Sequence, residues 1–471
     1  MKGMQRALLA SAAAFVVVGG AQAADLPTRK GAAAAEYVKV CHVDGGAGFV
    51  IPGSDTCLKI SGSVLAQVEA GTLTQQYNWA GNGGTSETAL AKGASTASRN
   101  GLGYTTRGVL NFDTTTNTAY GPLQAHIGVN LDYGSGFDSY NANTAYIDKG
   151  YLTWAGLTAG KASSFFSMIG AGYGTADIFS PDRRDENEPL LLAYTATFGG
   201  GFSATISLED PVLQGPSSTQ AYPSPAPGYY TLAGSDEFIA GDSTYQGQRA
   251  PDIVAALDLS QSWGSAHLGG VAHDVNMVEN YDAAGTTLNT WGWAIDGGLK
   301  FNLPMLGDSS DSIQLQGSYS QNAVWYSGIP DGMWFENGQV NGNGVAMPVA
   351  DSYYVTAGSN AGHWATPTAW ALTAIGEYHI GSTFAVDPEV SYGQINWSGL
   401  GSGGQLSPNS QSWIGGAVFH WDPVAHLDFS LELLYQTTHQ SMPTGYVATS
   451  GVPWQANTDG LAGRIGVTRD F

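Results

Sequence analysis

Apolar side chains occupy every second position in one stretch after another between Leu58 and Phe471. The stretch 58–70 (L-K-I-S-G-S-V-L-A-Q-V-E-A) shows the pattern, with apolar residues on one parity and mostly polar residues on the other. A period of two with one apolar face is typical of a β-strand. The sequence contains sixteen such stretches, at about 58–70, 101–113, 120–133, 144–155, 156–163, 189–199, 200–209, 251–262, 265–275, 290–303, 311–322, 367–380, 382–396, 410–421, 424–437 and 459–471.

The connections between these stretches alternate between short and long. The short ones fall at 115–118, 155–156, 199–200, 263–264, 304–310, 379–382 and 422–423. The long, mostly polar ones fall at 71–100, 134–143, 164–188, 210–250, 276–289, 323–366, 397–409 and 438–458. This alternation indicates strands that run up and down, with the short turns collected at one end and the long loops at the other.

Aromatic residues lie near the ends of many of the stretches, where the rings of a membrane barrel meet the headgroup region. They include Tyr133, Trp154, Trp291, Trp293, Trp370, Tyr378, Trp413, Trp421 and Tyr435. A soluble β-sandwich would also alternate apolar and polar faces, and the aromatic positions favour the barrel. The sequence therefore predicts an all-β fold, a transmembrane antiparallel β-barrel of about 16 strands with short periplasmic turns and long external loops.

The third long loop has an unusual division of residue types. After Lys161 it begins with the largely apolar run 163–174 (S-S-F-F-S-M-I-G-A-G-Y-G) and ends with the charged run 181–189 (P-D-R-R-D-E-N-E-P). Exposure of the apolar first half of the loop to water would be unfavourable, and folding of the loop into the barrel would avoid it. We therefore expect an infolded third loop.

The first 23 residues have the features of a secretory signal peptide. Lys2 and Arg6 form a basic start, 7–18 is apolar, and 21–23 (A-Q-A) is a small-residue cleavage site. After residue 23 the sequence has no run of about 18 apolar residues, so it predicts no transmembrane helix. The expected organisation is a signal peptide at 1–23, an N-terminal periplasmic segment at 24–57 and a single barrel domain at 58–471.

The chain has two cysteines, Cys41 and Cys57, with no other cysteine for either to pair with. In an exported protein this predicts one disulfide that closes a small Gly-rich loop, worth about 3 kcal/mol on the chain-entropy model. A metal site is a weaker alternative, because only His42 and two carboxylates lie nearby and no zinc spacing occurs.

The charge balance is strongly acidic, with 17 Lys and Arg against 39 Asp and Glu, for a formal net charge of −22. Removal of Lys2 and Arg6 with the signal peptide leaves 15 basic residues against 39 and a charge of −24. This balance argues against nucleic acid as a partner. Inside a pore, the same acidity would attract cations. The mean hydropathy of −0.09 suits a barrel in which only alternate residues meet lipid.

The segment 36–64 (E-Y-V-K-V-C-H-V-D-G-G-A-G-F-V-I-P-G-S-D-T-C-L-K-I-S-G-S-V) resembles the opening block of the alphaproteobacterial general porins. Further similar stretches occur at 193–210, 251–273 and 298–307, so the resemblance covers nearly the whole mature chain. It implies a sixteen-stranded outer-membrane channel, assembled as a homotrimer and narrowed by its third long loop. Outer-membrane lipid and lipopolysaccharide would surround it, and small hydrophilic solutes would pass through it.

The chain departs from that family where 112–116 (F-D-T-T-T) and 123–126 (L-Q-A-H) replace basic residues. A strongly basic wall, and with it an anion preference, is therefore not expected.

The selectivity of a pore is determined by the charges at its narrowest ring. On the third loop the candidates for this constriction are Asp177, Asp182, Arg183, Arg184, Asp185, Glu186 and Glu188, with a solvated loop tip as the alternative. A Lys or Arg in a barrel strand avoids lipid by pointing inward. The candidates for the opposing pore wall are Lys59, Arg107, Lys149, Lys161, Lys300 and Arg464, and the acidic Asp296, Glu389 and Glu432 share the inward parity.

No enzyme motif stands out. The sequence has neither a G-x-S-x-G nor an H-E-x-x-H motif, its histidines lie singly in strands, and neither a cofactor nor a metal is expected. The predicted function is passive diffusion of small hydrophilic solutes and ions through an outer-membrane porin, with mild cation selectivity. The alternatives are a substrate-selective channel, for instance for sugars, and a surface β protein without a pore.

Overall fold

The computed structural model describes residues 39–43, 46–71, 102–136, 143–169, 188–211, 231–232, 243–247, 249–279, 285–329, 351–355, 362–398, 409–440, 446–447 and 457–471. The β-strands in these ranges are β1 Val40–Val43, β2 Gly46–Val50, β3 Cys57–Gly71, β4 Leu102–Thr118, β5 Gly121–Gly136, β6 Thr144–Trp154, β7 Leu157–Lys161, β8 Leu190–Gly199, β9 Phe202–Glu209, β10 Thr231–Leu232, β11 Ser243–Tyr245, β12 Asp252–Gln261, β13 Gly264–Glu279, β14 Thr287–Asn302, β15 Ser312–Gln321, β16 Tyr353–Val355, β17 His363–Ile380, β18 Phe384–Ser398, β19 Ser410–Val424, β20 Leu427–Gln440, β21 Tyr446–Val447 and β22 Asn457–Asp470. Two short 3-10 helices, Pro304–Leu306 and Val324–Ser327, accompany them. In the described part of the chain, no helix has the length and apolarity needed to cross a membrane.

Sixteen of these strands form a closed antiparallel barrel. They are β3 to β9, β12 to β15, β17 to β20 and β22. Each of them pairs with the next along the chain, and β22 pairs back onto β3 through Arg464 opposite Glu69 and Val467 opposite Ala66. All sixteen predicted strands are present, and the predicted fold class is confirmed.

The seam between the first and last barrel strands is extended by the C-terminal residue. Gly62 and Phe471 exchange two backbone hydrogen bonds, of 3.0 and 2.9 Å. The Phe471 ring lies against the Gly62 backbone, where a Cβ would come within 2.8 Å of a ring carbon. A glycine at 62 therefore leaves room for this ring.

Strand register separates two faces, as the alternating sequence predicts. On β20, Leu431 and Leu433 are exposed on the outer face, whereas Glu432 between them is buried on the lumenal face. The same alternation holds on β3, where Val68 is exposed and Glu69 is buried. An apolar outer face and a polar inner face are what a barrel in lipid requires, because only alternate side chains meet the hydrocarbon.

Exposed and half-buried aromatic rings form two groups on the outer face. Near the end with the short turns, Trp421 contacts Phe384 and Phe429 at centroid distances of 6.4 and 5.2 Å. Near the end with the long loops, Tyr392 contacts Trp370 and Trp413 at 4.9 and 4.6 Å. Rings at these two levels correspond to the two interfacial girdles that the sequence predicts.

Two of the predicted turns are wrong in position. Strands β4 and β5 remain paired as far as Thr118 opposite Gly121, so the turn predicted at 115–118 falls at 119–120 instead. Gly121 has a φ of 103°, which favours glycine there. The turn predicted at 422–423 falls at 425–426, because β19 continues to Val424 across an irregularity in its pairing that accommodates Pro423.

The connection 303–311 between β14 and β15 is closed by Asp311. Its carboxylate accepts hydrogen bonds from the His379 amide at 2.8 Å and the His379 ring at 3.1 Å. The Asp308 amide is a third donor, at 3.2 Å. Burial acts to raise the pKa of Asp311, but these hydrogen bonds outweigh burial and hold the pKa below its usual value.

A hairpin of β1 and β2 precedes the barrel and joins its sheet through Phe49 opposite Leu58. The predicted disulfide between Cys41 and Cys57 is present, with the two Cα atoms 5.9 Å apart. A Cβ on Gly46 would lie 2.8 Å from Cε of Lys59, so the hairpin passes close to this inward-facing side chain. The hairpin and the barrel belong to one compact unit, Val40–Phe471.

Candidate functional site: the lumenal face and its infolded loops

Loop 3, the connection 162–189 between β7 and β8, crosses the lumenal face in the part that the structure describes. The backbone amides of Met168 and Ile169 donate hydrogen bonds to the Gln316 side chain on β15, at 3.2 and 2.6 Å. Phe166 and Ile169 are fully buried. The apolar first half of the loop therefore folds into the barrel, and the predicted infolded third loop is confirmed for residues 162–169.

A carboxylate and a histidine on the barrel wall hold the start of loop 3. Glu209 at the end of β9 accepts hydrogen bonds from the Ser164 hydroxyl at 2.7 Å and the Phe165 amide at 3.2 Å. The Phe166 carbonyl lies 2.9 Å from Nε2 of His267 on β13. Nδ1 of the same ring lies 2.7 Å from the Asp258 carboxylate on β12. The loop is thus hydrogen-bonded to β9 and β13, and Asp258 on β12 contacts the histidine that holds it.

Inward-facing glycines give the loops room to lie close to the wall. A Cβ on Gly269 would be 2.1 Å from the Phe166 carbonyl oxygen. A Cβ on Gly298 would be 2.8 Å from the Met168 sulfur. Both distances are well below van der Waals contact. A side chain at 269 would displace the backbone of loop 3, and one at 298 would force the Met168 side chain to move.

A second long loop also folds inward, which the sequence analysis did not predict. Loop 6 is the connection 322–362 between β15 and β17, and its described parts are 322–329 and 351–355 together with Gly362. The 3-10 helix Val324–Ser327 is buried, and the Ser327 carbonyl accepts a 2.9 Å hydrogen bond from Ser318 on the lumenal face of β15. A Cβ on Gly292 would be 2.0 Å from the Asn322 carbonyl oxygen, so the loop begins directly over the inner wall.

The two loops pack against each other. The rings of Phe166 from loop 3 and Tyr326 from loop 6 meet edge to face at a centroid distance of 4.8 Å. They form one buried cluster with Val254 and Val271, apolar residues on the lumenal faces of β12 and β13. These two inward-facing apolar residues are therefore covered by the loops and do not line open water.

A polar network joins loop 6 to the same part of the wall. The Tyr326 hydroxyl donates a 2.6 Å hydrogen bond to Asp252 on β12. His273 on β13 lies between two carboxylates, 2.8 Å from Asp252 and 3.2 Å from Asp351 of loop 6. Burial raises the pKa of Tyr326 well above its usual value, and the nearby carboxylates Asp252 and Glu209 raise it further, so the hydroxyl remains a hydrogen-bond donor.

The two predicted wall arginines lie on the lumenal face in ion pairs. Arg464 on β22 bonds to Glu69 at 3.0 Å and Glu432 at 2.8 Å, across the seam of the barrel. Arg107 on β4 makes a two-pronged contact with Asp132 on β5, at 2.8 and 2.9 Å. Because each arginine is paired with a carboxylate, the negative charge of its partner offsets its electrostatic field in the lumen.

The lysines at the base of loop 3 surround Glu188. Lys149 and Lys161 lie 3.0 and 2.9 Å from the two carboxylate oxygens of Glu188. Lys161 also donates to the Asp148 carbonyl. Asp148 and Lys149 sit where the pairing of β5 with β6 is irregular, which places two consecutive residues opposite Gly128.

Strand alternation accounts for the two remaining predicted wall residues. Lys300 on β14 lies opposite Gln314 of β15 and has the parity of the buried Asp296. Lys59 on β3 has the parity of the buried Gln67 and Glu69. Of the predicted constriction residues, only Glu188 is described. The others lie outside the described residues: Asp177, Asp182, Arg183, Arg184, Asp185 and Glu186.

Lumenal histidines are paired with carboxylates, which their isolated positions in the sequence do not reveal. Besides His267 and His273, His126 lies 2.6 Å from Asp113. His420 lies 3.1 Å from Asp428 and 3.5 Å from Asp387. Each pair joins inward positions on adjacent strands, so it becomes visible only when the register is known. Within the described ranges, no group of three or more His, Cys, Asp and Glu side chains could hold a metal ion.

Comparison with known proteins is consistent with this architecture. The family model described as "Porin subfamily" matches residues 25–463. Porin Omp2b of Brucella suis is 28% identical over 399 residues, covering 82% of this chain and 90% of that protein. Porin Omp2b of Brucella abortus (strain 2308) is 29% identical over 401 residues, covering 82% and 91%. Among solved structures, the outer membrane channel DcaP of Acinetobacter baumannii superimposes with a TM-score of 0.57 at 14% identity, covering 90% of this chain and 99% of that one; at this identity the likeness concerns the fold.

Proposed function

The chain belongs to the porin subfamily, and from that membership we propose that small hydrophilic solutes and ions diffuse passively through its barrel across the outer membrane. The observation that carries this proposal is the closed barrel of sixteen strands, apolar outside and polar inside, through which water can pass. Family membership indicates a channel rather than an enzyme, and it favours the channel over a surface β protein without a pore.

We further propose that the channel prefers cations mildly. On the described strands, inward-facing carboxylates outnumber inward-facing lysines and arginines. The acidic residues include Glu69, Asp113, Asp132, Asp148, Glu209, Asp252, Asp258, Asp296, Glu389, Asp428 and Glu432. A lumen lined by one sign of charge between walls of low dielectric raises the local concentration of counter-ions. The lack of basic residues at 112–116 also favours cations over anions.

The proposed selectivity ring combines loop 3 with the wall opposite it. Asp177, Asp182, Arg183, Arg184, Asp185 and Glu186 remain proposals for the constriction. Glu188 is better regarded as the counter-ion of Lys149 and Lys161, because both of its oxygens are paired. Its contribution to the field in the pore is therefore small.

The export and assembly of the protein follow the same family. We propose that residues 1–23 are a signal peptide and are removed, and that 24–57 form a periplasmic segment closed by the Cys41–Cys57 disulfide. We also propose a homotrimer surrounded by outer-membrane lipid and lipopolysaccharide.

The test is conductance of the purified protein in planar bilayers, with swelling of proteoliposomes in sugars of increasing size. We expect ohmic channels and a reversal potential of cation-selective sign in a salt gradient. The selectivity should weaken as ionic strength rises, because salt screens the lumenal charges. An anion-selective reversal potential would refute the charge argument, and a protein that forms no channel would refute the function. Competition of one solute for the ion current would instead indicate a substrate-selective channel.

A further inference from the structure

One histidine of the barrel wall lies between the wall and loop 6, beside the other hydrogen bonds that hold this loop. His273 projects from the lumenal face of β13, with Nδ1 2.8 Å from an oxygen of Asp252 on the neighbouring strand. Its other nitrogen, Nε2, lies 3.2 Å from Asp351 of loop 6. All three side chains are buried. The imidazole is therefore a bridge between the wall and the loop.

The hydrogen bonds around the bridge fix its protonation. Asp252 accepts from the Tyr326 hydroxyl at 2.6 Å and from the Asp274 amide at 3.3 Å, as well as from His273. Asp351 accepts from the Val324 amide at 3.0 Å. Both carboxylates are thus arranged as acceptors, as ionised groups are. The ring can donate to both of them only when each of its nitrogens carries a proton.

We infer that His273 is a positioning residue of the permeation pathway: as an imidazolium between Asp252 and Asp351, it holds the described parts of loop 6 against loop 3 so that the two loops narrow the channel as one unit. This inference rests on the proposed channel function. It extends that function by making loop 6, and not loop 3 alone, part of the constriction.

The contact between the loops transmits the effect of this bridge. Tyr326 uses its hydroxyl to bond Asp252 and its ring to pack on Phe166 of loop 3. Loop 3 is in turn held by Glu209 through Ser164. Loss of the His273 bridge therefore removes a support of the Tyr326 ring, against which loop 3 packs.

The bridge has a defined response to alkaline pH. The groups that face His273 are Asp252 and Asp351, with Tyr326 bonded to Asp252 and Glu209 close to both Tyr326 and Asp252. The doubly protonated ring can lose one proton in alkaline solution while the Tyr326 phenol keeps its own. A neutral ring donates from one nitrogen, so one carboxylate loses its bond and the loop loses an attachment.

The test compares single-channel currents of the wild type, His273→Gln and Asp351→Ala, from neutral to alkaline pH. A glutamine amide is uncharged and its oxygen cannot donate, so it cannot replace a ring that donates from both nitrogens. Alanine at 351 removes the acceptor on the loop side. Removing one partner of a buried charge pair should raise the equilibrium constant for release of the loop by about 100-fold or more. We expect sublevels of higher conductance and more current noise in both variants at neutral pH. The wild type should reach the same behaviour only as the pH rises, and His273→Gln should lose this pH dependence.

The matched control is His420→Gln. His420 also lies between two lumenal carboxylates, Asp387 and Asp428, but all three residues are on barrel strands. This substitution removes the same kind of charge and should leave the noise of the channel unchanged. Heat-modifiable migration on gels establishes that each variant has folded.

Equal conductance and noise in the wild type and both bridge variants would overturn the inference, as would the same noise in His420→Gln. Both results leave the channel function intact, whereas a wild type that forms no channel would refute the function itself. If His273→Gln does not fold, Asp351→Ala alone decides, because it alters the loop and not the wall.

Discussion

The close approach of loop 3 to Gly269 makes a sharp prediction about conductance. A methyl group added by Gly269→Ala would lie 2.1 Å from the Phe166 carbonyl oxygen and 3.0 Å from Nε2 of His267. The carbonyl belongs to backbone, so rotation of a side chain cannot relieve this clash. Loop 3 must move away from the wall by about 1 Å or more to restore ordinary contact.

The cost of this movement can be estimated from the bonds it disturbs. Overpacking of a well-packed site costs about 1–3 kcal/mol. The movement also breaks the 2.9 Å hydrogen bond between His267 and the Phe166 carbonyl, whose net worth is about 0.5–1.5 kcal/mol. The barrel itself gains only a methyl group on its inner face and should remain folded. The substitution should therefore weaken mainly the docking of loop 3 against the wall, and not the folding of the barrel.

Conductance and selectivity in planar bilayers measure the position of the loop. The matched control is Gly270→Ala on the same strand, whose added methyl would meet nothing closer than a carbonyl oxygen at 3.9 Å. We expect an altered conductance and noisier current for Gly269→Ala, with both variants retaining heat-modifiable migration. If the two variants conduct identically to the wild type, loop 3 does not lie against Gly269 and the argument fails.

Three further predictions concern stability, measured as the temperature at which the folded barrel converts to its slowly migrating form on gels. Arg464→Met should lower the free energy of unfolding by about 3–5 kcal/mol, because it removes the charge that bonds two buried carboxylates, Glu69 and Glu432, and an unchanged temperature would contradict this. The depressed pKa of Asp311 implies stability that is present above the unfolded value of about 3.9 and is lost as the pH falls below it. Asp311→Asn, which keeps a partner for His379, should therefore show a smaller loss between pH 6 and pH 3 than the wild type, and equal losses would count against it. Reduction of the Cys41–Cys57 disulfide should cost about 3 kcal/mol on the chain-entropy model, and the double Cys→Ser variant should be insensitive to reductant.

Most of the fold could be predicted because strand alternation is local. On 427–437 each apolar residue is two positions from the next, and no information from elsewhere in the chain is needed to assign the outer face. The turns at 119–120 and 425–426 were predicted too early by a few residues, because cross-strand pairing extends β4 and β19 beyond their apolar pattern. Pairing of this kind depends on the partner strand and is not visible in one segment alone.

The candidate site was predictable only in part. The apolar start of loop 3 indicates infolding, and the run 322–329 (N-A-V-W-Y-S-G-I) at the start of loop 6 carries the same kind of signal, because it is also rich in apolar residues. Glycines at inward parity, at 269, 292 and 298, were a second available signal. Ion pairs such as that of Arg464 with Glu69 join residues 395 positions apart, and only the register of the closed barrel brings them together.

The pairing of histidines with carboxylates changes how the charge of this lumen should be counted. A formal charge of −22 treats every histidine as neutral. His267 faces the Asp258 carboxylate with one nitrogen and the Phe166 carbonyl with the other, and a carbonyl can only accept. Both bonds form only with a doubly protonated ring, and the same argument holds for His273. Each such ring adds a positive charge beside the acidic wall, so the field in the pore is less negative than the sequence count suggests. The preference for cations should consequently be mild near neutral pH and stronger in alkaline solution, where the rings lose a proton.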